Sequence, residues 1–138
     1  MIALATAIVW LWLGMVLAIS FLEAPLKFRA PGITIPLGLG IGRLIFRALN
    51  TVETALALVL VVALIFGSAS LTTIVAAGTA MAMLLAQIVA VRPRLSKRAD
   101  TVLAGGPHDK RSHAHLWYVG LEVIKAAALI VAGLTLLA

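Results

Sequence analysis

One polar stripe interrupts an otherwise apolar stretch of this sequence and offers groups that could do chemistry. Its members recur at i, i+4, i+7 and i+10: Arg43, Arg47, Asn50 and Glu53. In an α-helix, which has about 3.6 residues per turn, this spacing places all four side chains on one face. Such groups can bind a small polar solute or ion, or they can pair with charges on another helix.

A second stripe lies near the end of the chain and has almost the same spacing. Its members recur at i, i+3, i+7 and i+10: His115, Tyr118, Glu122 and Lys125. The opposite side of this stretch consists of Leu, Val, Ile and Ala, which can face lipid. The sequence therefore predicts two helices, each with a polar stripe that must face the inside of a bundle.

The composition indicates which solvent surrounds these helices. Of the 138 residues, 63% are hydrophobic and only 12% are charged, and the mean hydropathy is +1.16. A water-soluble fold could not cover so much apolar area with polar surface, so we expect a membrane protein. The chain has no cysteine, which excludes disulfides, thiolate metal sites and thiol nucleophiles.

Apolar stretches of about 20 residues or more predict four transmembrane helices. The predicted helices cover residues 2–22, 42–66, 71–91 and 113–138. Prolines and glycines in residues 23–41 predict a broken connection, and Pro93 should end or bend the third helix. Residues 92–112 should form a basic loop that contains a short helix at the membrane surface. The predicted fold class is all-α, an integral membrane four-helix bundle.

The basic residues predict the orientation of this bundle. Ten of the 11 Lys and Arg residues flank the first or third connection, and the other one, Lys125, lies inside the fourth helix. By the positive-inside rule, loops 1 and 3 are cytoplasmic and both termini are outside. We therefore predict a multi-pass protein of the inner (cytoplasmic) membrane. Its net charge of +6 should meet anionic lipid headgroups, and nucleic acid is not an expected partner.

The polar side chains of different helices converge on one depth. With a rise of about 1.5 Å per residue, Glu53 and Lys125 each lie about 20 Å below the outer end of their helix. Asn50, Gln87 and Glu122 lie about one turn further in. An unpaired charge at this depth costs on the order of 3 kcal/mol on insertion scales. We therefore predict that Glu53 pairs with Lys125.

Glu122, the carboxylate of the second stripe, is buried at a similar depth in the predicted bundle. We predict that Glu122 lies near Arg43 or Arg47, because a buried carboxylate requires a cation nearby. None of these residues is assigned a catalytic role. Two interpretations of the polar layer stay open: it binds or transports a ligand or ion, or it only fixes the register of the helices.

Side chains near the cytoplasmic interface carry weaker signals. Glu23, at the end of the first helix, is either a proton-carrying carboxylate or a helix-end residue that bonds Lys27 or Arg29. His113 and His115 are two residues apart and point to different sides of a helix, which disfavours a shared metal ion. We expect no metal site.

Three segments carry a resemblance that covers most of the chain. They read FLEAPLKFRAPGITIPLGLGIGRLIFRALNTVE, RPRLSKRA and HLWYVGLEVIK. In these segments the chain resembles a family of small bacterial membrane proteins with four helices, for which we know no assigned activity. The resemblance implies the topology but no chemistry.

A partial resemblance concerns the second helix alone. Its spacing of Arg43, Asn50 and Glu53 is similar to that of the membrane-associated eicosanoid and glutathione metabolism family, and Arg29 after the first helix is also similar. This resemblance implies four helices, an outward N-terminus and a glutathione site that faces the cytoplasm. It implies these four residues as glutathione contacts, whereas Gln87 and apolar residues replace the family's pattern in the third helix.

Three hypotheses for the function follow. The first is a membrane protein whose polar layer binds or passes a small polar solute, an ion or a proton. The second is a glutathione transferase-like membrane enzyme that acts on lipophilic substrates, with glutathione as its cofactor. The third is a structural or assembly partner. Four short helices enclose little volume, so either functional reading predicts a homo-oligomer with the site between protomers.

Overall fold

The computed structural model describes residues 1–105 and 113–138, and these residues form an all-helical fold. Within this part of the chain, four helices are long and apolar enough to cross a membrane. In chain order they are α1 (Ile2–Lys27), α2 (Ile35–Phe66), α3 (Leu71–Leu103) and α4 (His113–Leu137). The expected all-α class is confirmed, with four helices long and apolar enough to span a membrane, whereas the membrane side of each loop stays a prediction.

The first connection is shorter than predicted, since α2 begins at Ile35 rather than near residue 42. Thr34 caps this helix, and its hydroxyl oxygen accepts a hydrogen bond from the Leu37 amide at 3.2 Å. Pro36 lies in the first turn, where a helix needs no N–H from the residue. A proline that we interpreted as a helix breaker is therefore part of a helix start.

Both other prolines at predicted helix ends lie inside a longer helix. Before each one, the helix contains a π-helical turn, Leu17–Glu23 in α1 and Gln87–Val91 in α3. Pro25 and Pro93 then lie in the first turn of the α-helical segment that follows. The changed hydrogen-bond register of a π-helical turn accommodates the missing N–H of proline, so α1 and α3 continue.

The segment predicted as a helix at the membrane surface is the last part of α3, Arg92–Leu103. It packs along α2, and Ala99 and Val102 are buried there. The apolar spacing that predicted an amphipathic helix is therefore present, but the apolar side faces another helix rather than lipid. The rest of the predicted basic loop, residues 106–112, lies outside the described residues.

The two ends of the bundle differ in charge. At a rise of about 1.5 Å per residue, α2 and α3 are about 50 Å long and exceed a hydrocarbon core of about 30 Å. Lys27, Arg29, Arg43 and Arg92 lie toward the end where α1 finishes and α2 starts, which we call the basic end. The opposite end, which contains both chain termini and has no charged side chain, is the terminal end.

The half of the bundle toward the terminal end has an apolar core of mostly small side chains. Close contact is clearest between α1 and α4, where a Cβ added to Gly133 would lie 2.8 Å from the Trp10 ring. The buried residues of this core include Ala5, Val9, Leu60, Ala63, Ala77, Ala80, Leu129 and Ala132. Large side chains such as Leu58, Ile65 and Leu71 are exposed, as expected for a lipid-facing surface.

Candidate functional site

A buried cluster of three charged side chains lies where the two polar stripes meet. The Lys125 ammonium is 2.5 Å from Glu53 Oε2 and 2.7 Å from Glu122 Oε1. Each of the three side chains is at most 1% exposed. The predicted pairing of Glu53 with Lys125 is confirmed, and we call these three residues the buried triad.

Two neutral side chains from the other helices complete the surroundings of the buried triad. Lys125 donates a hydrogen bond to Gln87 Oε1 at 2.8 Å, and Trp12 donates its indole N–H to Glu53 Oε2 at 2.7 Å. Trp12 belongs to α1, Glu53 to α2, Gln87 to α3 and Lys125 to α4. All four helices of one chain therefore contribute directly to the cluster, so the expectation that these side chains meet between protomers is wrong.

The second carboxylate of the buried triad has a partner on α1. Ser20 donates its hydroxyl to Glu122 Oε2 at 3.0 Å. Ser20 lies in the π-helical turn of α1, and Gln87 lies in that of α3. Both π-helical turns therefore supply a side chain to the same cluster, and single π-helical turns often occur at functional sites.

A neutral network adjoins the buried triad. Tyr118 donates its hydroxyl to Asn50 Oδ1 at 3.2 Å, and Gln87 donates its amide N–H to the Tyr118 carbonyl at 3.3 Å. The ring of Phe46 contacts the Tyr118 ring edge-on, with the ring centroids 5.4 Å apart. Asn50 and Tyr118 lie one to two turns from the triad residues of their own helices, and both are buried. This network fixes Gln87, which in turn holds Lys125.

The charges of the buried triad do not cancel when all three groups are ionised. Two carboxylates and one ammonium leave one negative charge in excess. Among the described residues, Glu53 Oε1 is also buried without a hydrogen-bond partner. Glu53 lies 13 residues before the end of α2, about 20 Å from the terminal end, so the excess charge lies deep inside a helix that is long and apolar enough to cross a membrane.

The predicted pairing of Glu122 with Arg43 or Arg47 is wrong. Glu122 instead contacts Lys125 and Ser20, whereas Arg43 forms an ion pair with Asp100 of α3, and Arg47 is exposed. Arg43 lies ten residues before Glu53, about 15 Å toward the basic end, and Arg47 is exposed, whereas Lys125 lies three residues from Glu122 on the same helix. The polar stripe of α2 thus divides into a buried half and a surface half.

The remaining predicted residues lie near the basic end. The Lys27 ammonium is 3.7 Å from Glu23 Oε1, so one of the two open interpretations of Glu23, the bond to a nearby basic residue, is confirmed. Arg29 and His115 are exposed. The four residues implied by the glutathione resemblance are divided, because Asn50 and Glu53 are buried, whereas Arg29 lies on the surface.

Two residues of the cluster, Trp12 and Ser20, were missed. Trp12 lies ten residues into α1, at a depth of about 15 Å, close to the depth of Glu53. A tryptophan so deep in a helix needs a hydrogen-bond acceptor, which could have indicated its contact with a carboxylate. Ser20 gave no comparable signal, because its position depends on the π-helical turn.

We compared the whole chain with known proteins. Comparisons with protein-family models, with curated proteins and with solved structures found no match. The chemistry must therefore be argued from the buried triad. Two carboxylates that share one ammonium can gain or lose a proton, and the ammonium occupies the position between them that a cation would take.

Proposed function

We propose that this protein is a multi-pass inner-membrane protein whose buried triad binds one exchangeable proton. The observation that supports the proposal is the charge of the triad, two carboxylates and one ammonium, all at most 1% exposed. One proton on either carboxylate makes the cluster neutral. This is the proton form of the hypothesis that the polar layer binds or passes a small polar solute or ion.

A proton fits this site better than a metal cation does. The Lys125 ammonium already lies within 2.5 to 2.7 Å of one oxygen of each carboxylate. A metal ion would need several oxygen ligands around the same position, at similar distances, and would be repelled by the ammonium. A proton binds to a single carboxylate oxygen and requires no additional space.

The energy of burial supports protonation of the triad. Leaving one net charge in the hydrocarbon region costs on the order of 3 kcal/mol on insertion scales. Protonation of one carboxylate removes that charge and leaves the cluster neutral. Exchange of this proton with water is what distinguishes a functional triad from one that only fixes the register of the helices.

The test is infrared spectroscopy of the purified protein, because a carboxylic acid and a carboxylate absorb at different frequencies. We expect one protonated buried carboxyl group per chain in the wild type. Glu53→Gln or Glu122→Gln leaves one carboxylate and one ammonium, so the band should disappear. Lys125→Met leaves two carboxylates and no cation, so the band should double. Asp100→Asn, on the surface, is the control and should leave the band unchanged.

The outcomes separate the hypotheses. A wild type without the band contradicts the proposed function. A band that does not change when the pH of the solution is varied over the range in which the protein stays folded favours the structural or assembly partner. A band that responds to pH supports a proton site, and proton flux into proteoliposomes then distinguishes transport from binding.

The environment of the protein completes the proposal. The basic end should face the cytoplasm and its anionic lipid headgroups, with both termini outside. The buried triad takes its side chains from one chain, so proton binding does not require a second copy. The expected homo-oligomer stays a prediction, and its measurement is the mass of the detergent-solubilised protein.

A further inference from the structure

The buried triad is closed toward the terminal end. Trp12, which donates to Glu53, lies on that side, and an indole N–H is only a donor and cannot accept a proton. Beyond it, the helices are in contact through fully buried apolar side chains such as Val9, Leu60 and Leu129. A proton therefore meets an apolar core rather than a relay in this direction.

The network of neutral side chains also ends without a group that exchanges protons at neutral pH. Lys125 donates to Gln87, and Gln87 donates to the backbone carbonyl of Tyr118. The Tyr118 hydroxyl donates to the Asn50 carbonyl oxygen. Amides hold their protons in this pH range, so this network can position Lys125 but cannot carry a proton to water.

The contact between Ser20 and Glu122 is different, because the Ser20 hydroxyl, which can both donate and accept, bonds a carboxylate of the triad directly rather than an amide. Ser20 is half-buried and lies eight residues after Trp12 along α1, toward the basic end. The next ionisable residue along α1 is Glu23, an axial step of about 5 Å. Its Oε2 atom is buried without a hydrogen-bond partner among the described residues, yet the side chain is 33% exposed. Glu23 thus has one buried oxygen and a partly exposed side chain, and its other oxygen lies 3.7 Å from the Lys27 ammonium.

We propose that the proton of the buried triad enters and leaves from the basic end alone, through the Ser20 hydroxyl and the Glu23 carboxylate. This inference rests on the proposed proton-binding function. When the proton leaves, the Glu122 carboxylic acid gives it to Ser20 Oγ while the Ser20 hydroxyl proton passes through water to Glu23. Glu122 becomes a carboxylate, Ser20 is unchanged, and Glu23 becomes a carboxylic acid that releases the proton to water.

The return reverses these transfers. It ends on the hydrogen bond that Ser20 donates to Glu122 Oε2 at 3.0 Å. The charged and titratable groups around this path come from all four helices. They include Lys27 on α1, Glu53 on α2, Arg92 on α3, which directly follows the π-helical turn that contains Gln87, and Tyr118 and Lys125 on α4.

The experiment measures how fast the infrared band of the buried triad responds to a jump in pH. Ser20→Ala should slow the response by at least about tenfold, since positioned proton-transfer groups contribute about 100-fold or more. Ser20→Thr keeps the hydroxyl and should restore most of the rate. Glu23→Gln should slow the response as well, and the rate of each variant is measured relative to the full size of its own band.

The matched control lies at the terminal end, where Thr73 hydrogen-bonds Ser70 and Thr135 at 2.9 and 2.7 Å. Thr73→Val removes this hydroxyl and should leave the rate unchanged. A wild-type rate in Ser20→Ala, with the band present, overturns the proposed path but not the proton site. Slowing by Thr73→Val overturns the claim of one-sided access. A wild type without the band refutes the proposed function itself.

Discussion

The two halves of the bundle contrast in what holds the helices together. Toward the terminal end, small side chains allow close approach, as where Gly133 of α4 meets the ring of Trp10 in α1. Toward the basic end, the helices are joined by charges and hydrogen bonds, with Lys125 at the centre. Helix contact in the apolar half depends on the fit of small side chains, whereas helix contact in the polar half depends on the balance of charge.

The apolar half therefore contributes mainly packing, and the groups that can do chemistry lie in the polar half. Packing in the apolar half leaves little for a ligand to bind, because its buried side chains are almost all hydrocarbon. The polar half is expensive to bury in lipid, and groups of this kind in membrane proteins mark functional sites by default. Substitutions in the apolar half should therefore act on helix packing, whereas substitutions in the polar half should act on protonation of the triad.

The largest expected effect concerns the sides of the membrane that the two ends face. A reporter enzyme fused after Ala138 should be active only outside the cytoplasm, because the basic end is retained inside. The same reporter inserted at Gly105 should be active only in the cytoplasm. The reverse pattern would contradict the orientation and move the access of the triad to the outer side.

The next effect comes from removing the cation of the buried triad. Lys125→Met removes the only cation of the triad, so both carboxyl groups must then be protonated to become neutral, and we expect a loss of about 3 to 5 kcal/mol in the free energy of unfolding. Glu53→Gln leaves Glu122 and Lys125 as a neutral pair, so its loss should be only about 1 kcal/mol. Thermal unfolding in detergent measures both.

The difference between these two losses distinguishes a simple ion pair from a triad with one carboxylate in excess. A simple ion pair of Glu53 and Lys125 would make either single change costly, because each would leave a lone charge. A triad with one carboxylate in excess makes only the loss of Lys125 costly. Equal losses would contradict the charge balance on which the proton site depends.

Packing in the apolar half is tested by Gly133→Ala. The added Cβ would lie 2.8 Å from the Trp10 ring, so α1 and α4 must move apart, at a cost of about 1 to 3 kcal/mol. Gly120→Ala on the same helix is the matched control, because no atom lies within 4 Å of its added Cβ. The infrared band of the triad should be unchanged in both variants. A loss in Gly120→Ala as large as in Gly133→Ala would show that packing at Trp10 is not the cause.

The depth of a charged residue could be predicted from the sequence, and with it the contact of Glu53 with Lys125. Counting residues from the uncharged terminal end of each helix, at about 1.5 Å per residue, places Glu53 and Lys125 at the same depth. The direction of each side chain could not be predicted so well, as Glu122 illustrates. Its contact with Ser20 depends on a π-helical turn in α1, and no residue type indicates such a turn reliably.

The ends of the helices were predicted less accurately for a related reason. Pro25 and Pro93 indicate a helix end when the hydrogen-bond register is regular, and both follow a π-helical turn. Pro36 indicates a helix start only once Thr34 is recognised as the cap. The glycine-rich stretch after Pro36 was interpreted as a break, but Gly38 allows the Phe28 ring to pack directly on α2.

The smallest expected effect concerns the ion pair of Arg43 with Asp100 outside the apolar region. Arg43→Ala should lower the free energy of unfolding by at most about 1 kcal/mol, because the pair is partly exposed. Asp100→Asn should cause a similar loss, and Arg47→Ala, an exposed arginine on the same helix, is the matched control.

These variants also test the glutathione resemblance, which implies Arg43 as a contact. If it holds, the wild type binds glutathione and Arg43→Ala abolishes binding, whereas Asp100→Asn frees Arg43 and preserves it. If Arg43 only holds α2 against α3, the two variants lose stability equally and the wild type does not bind glutathione.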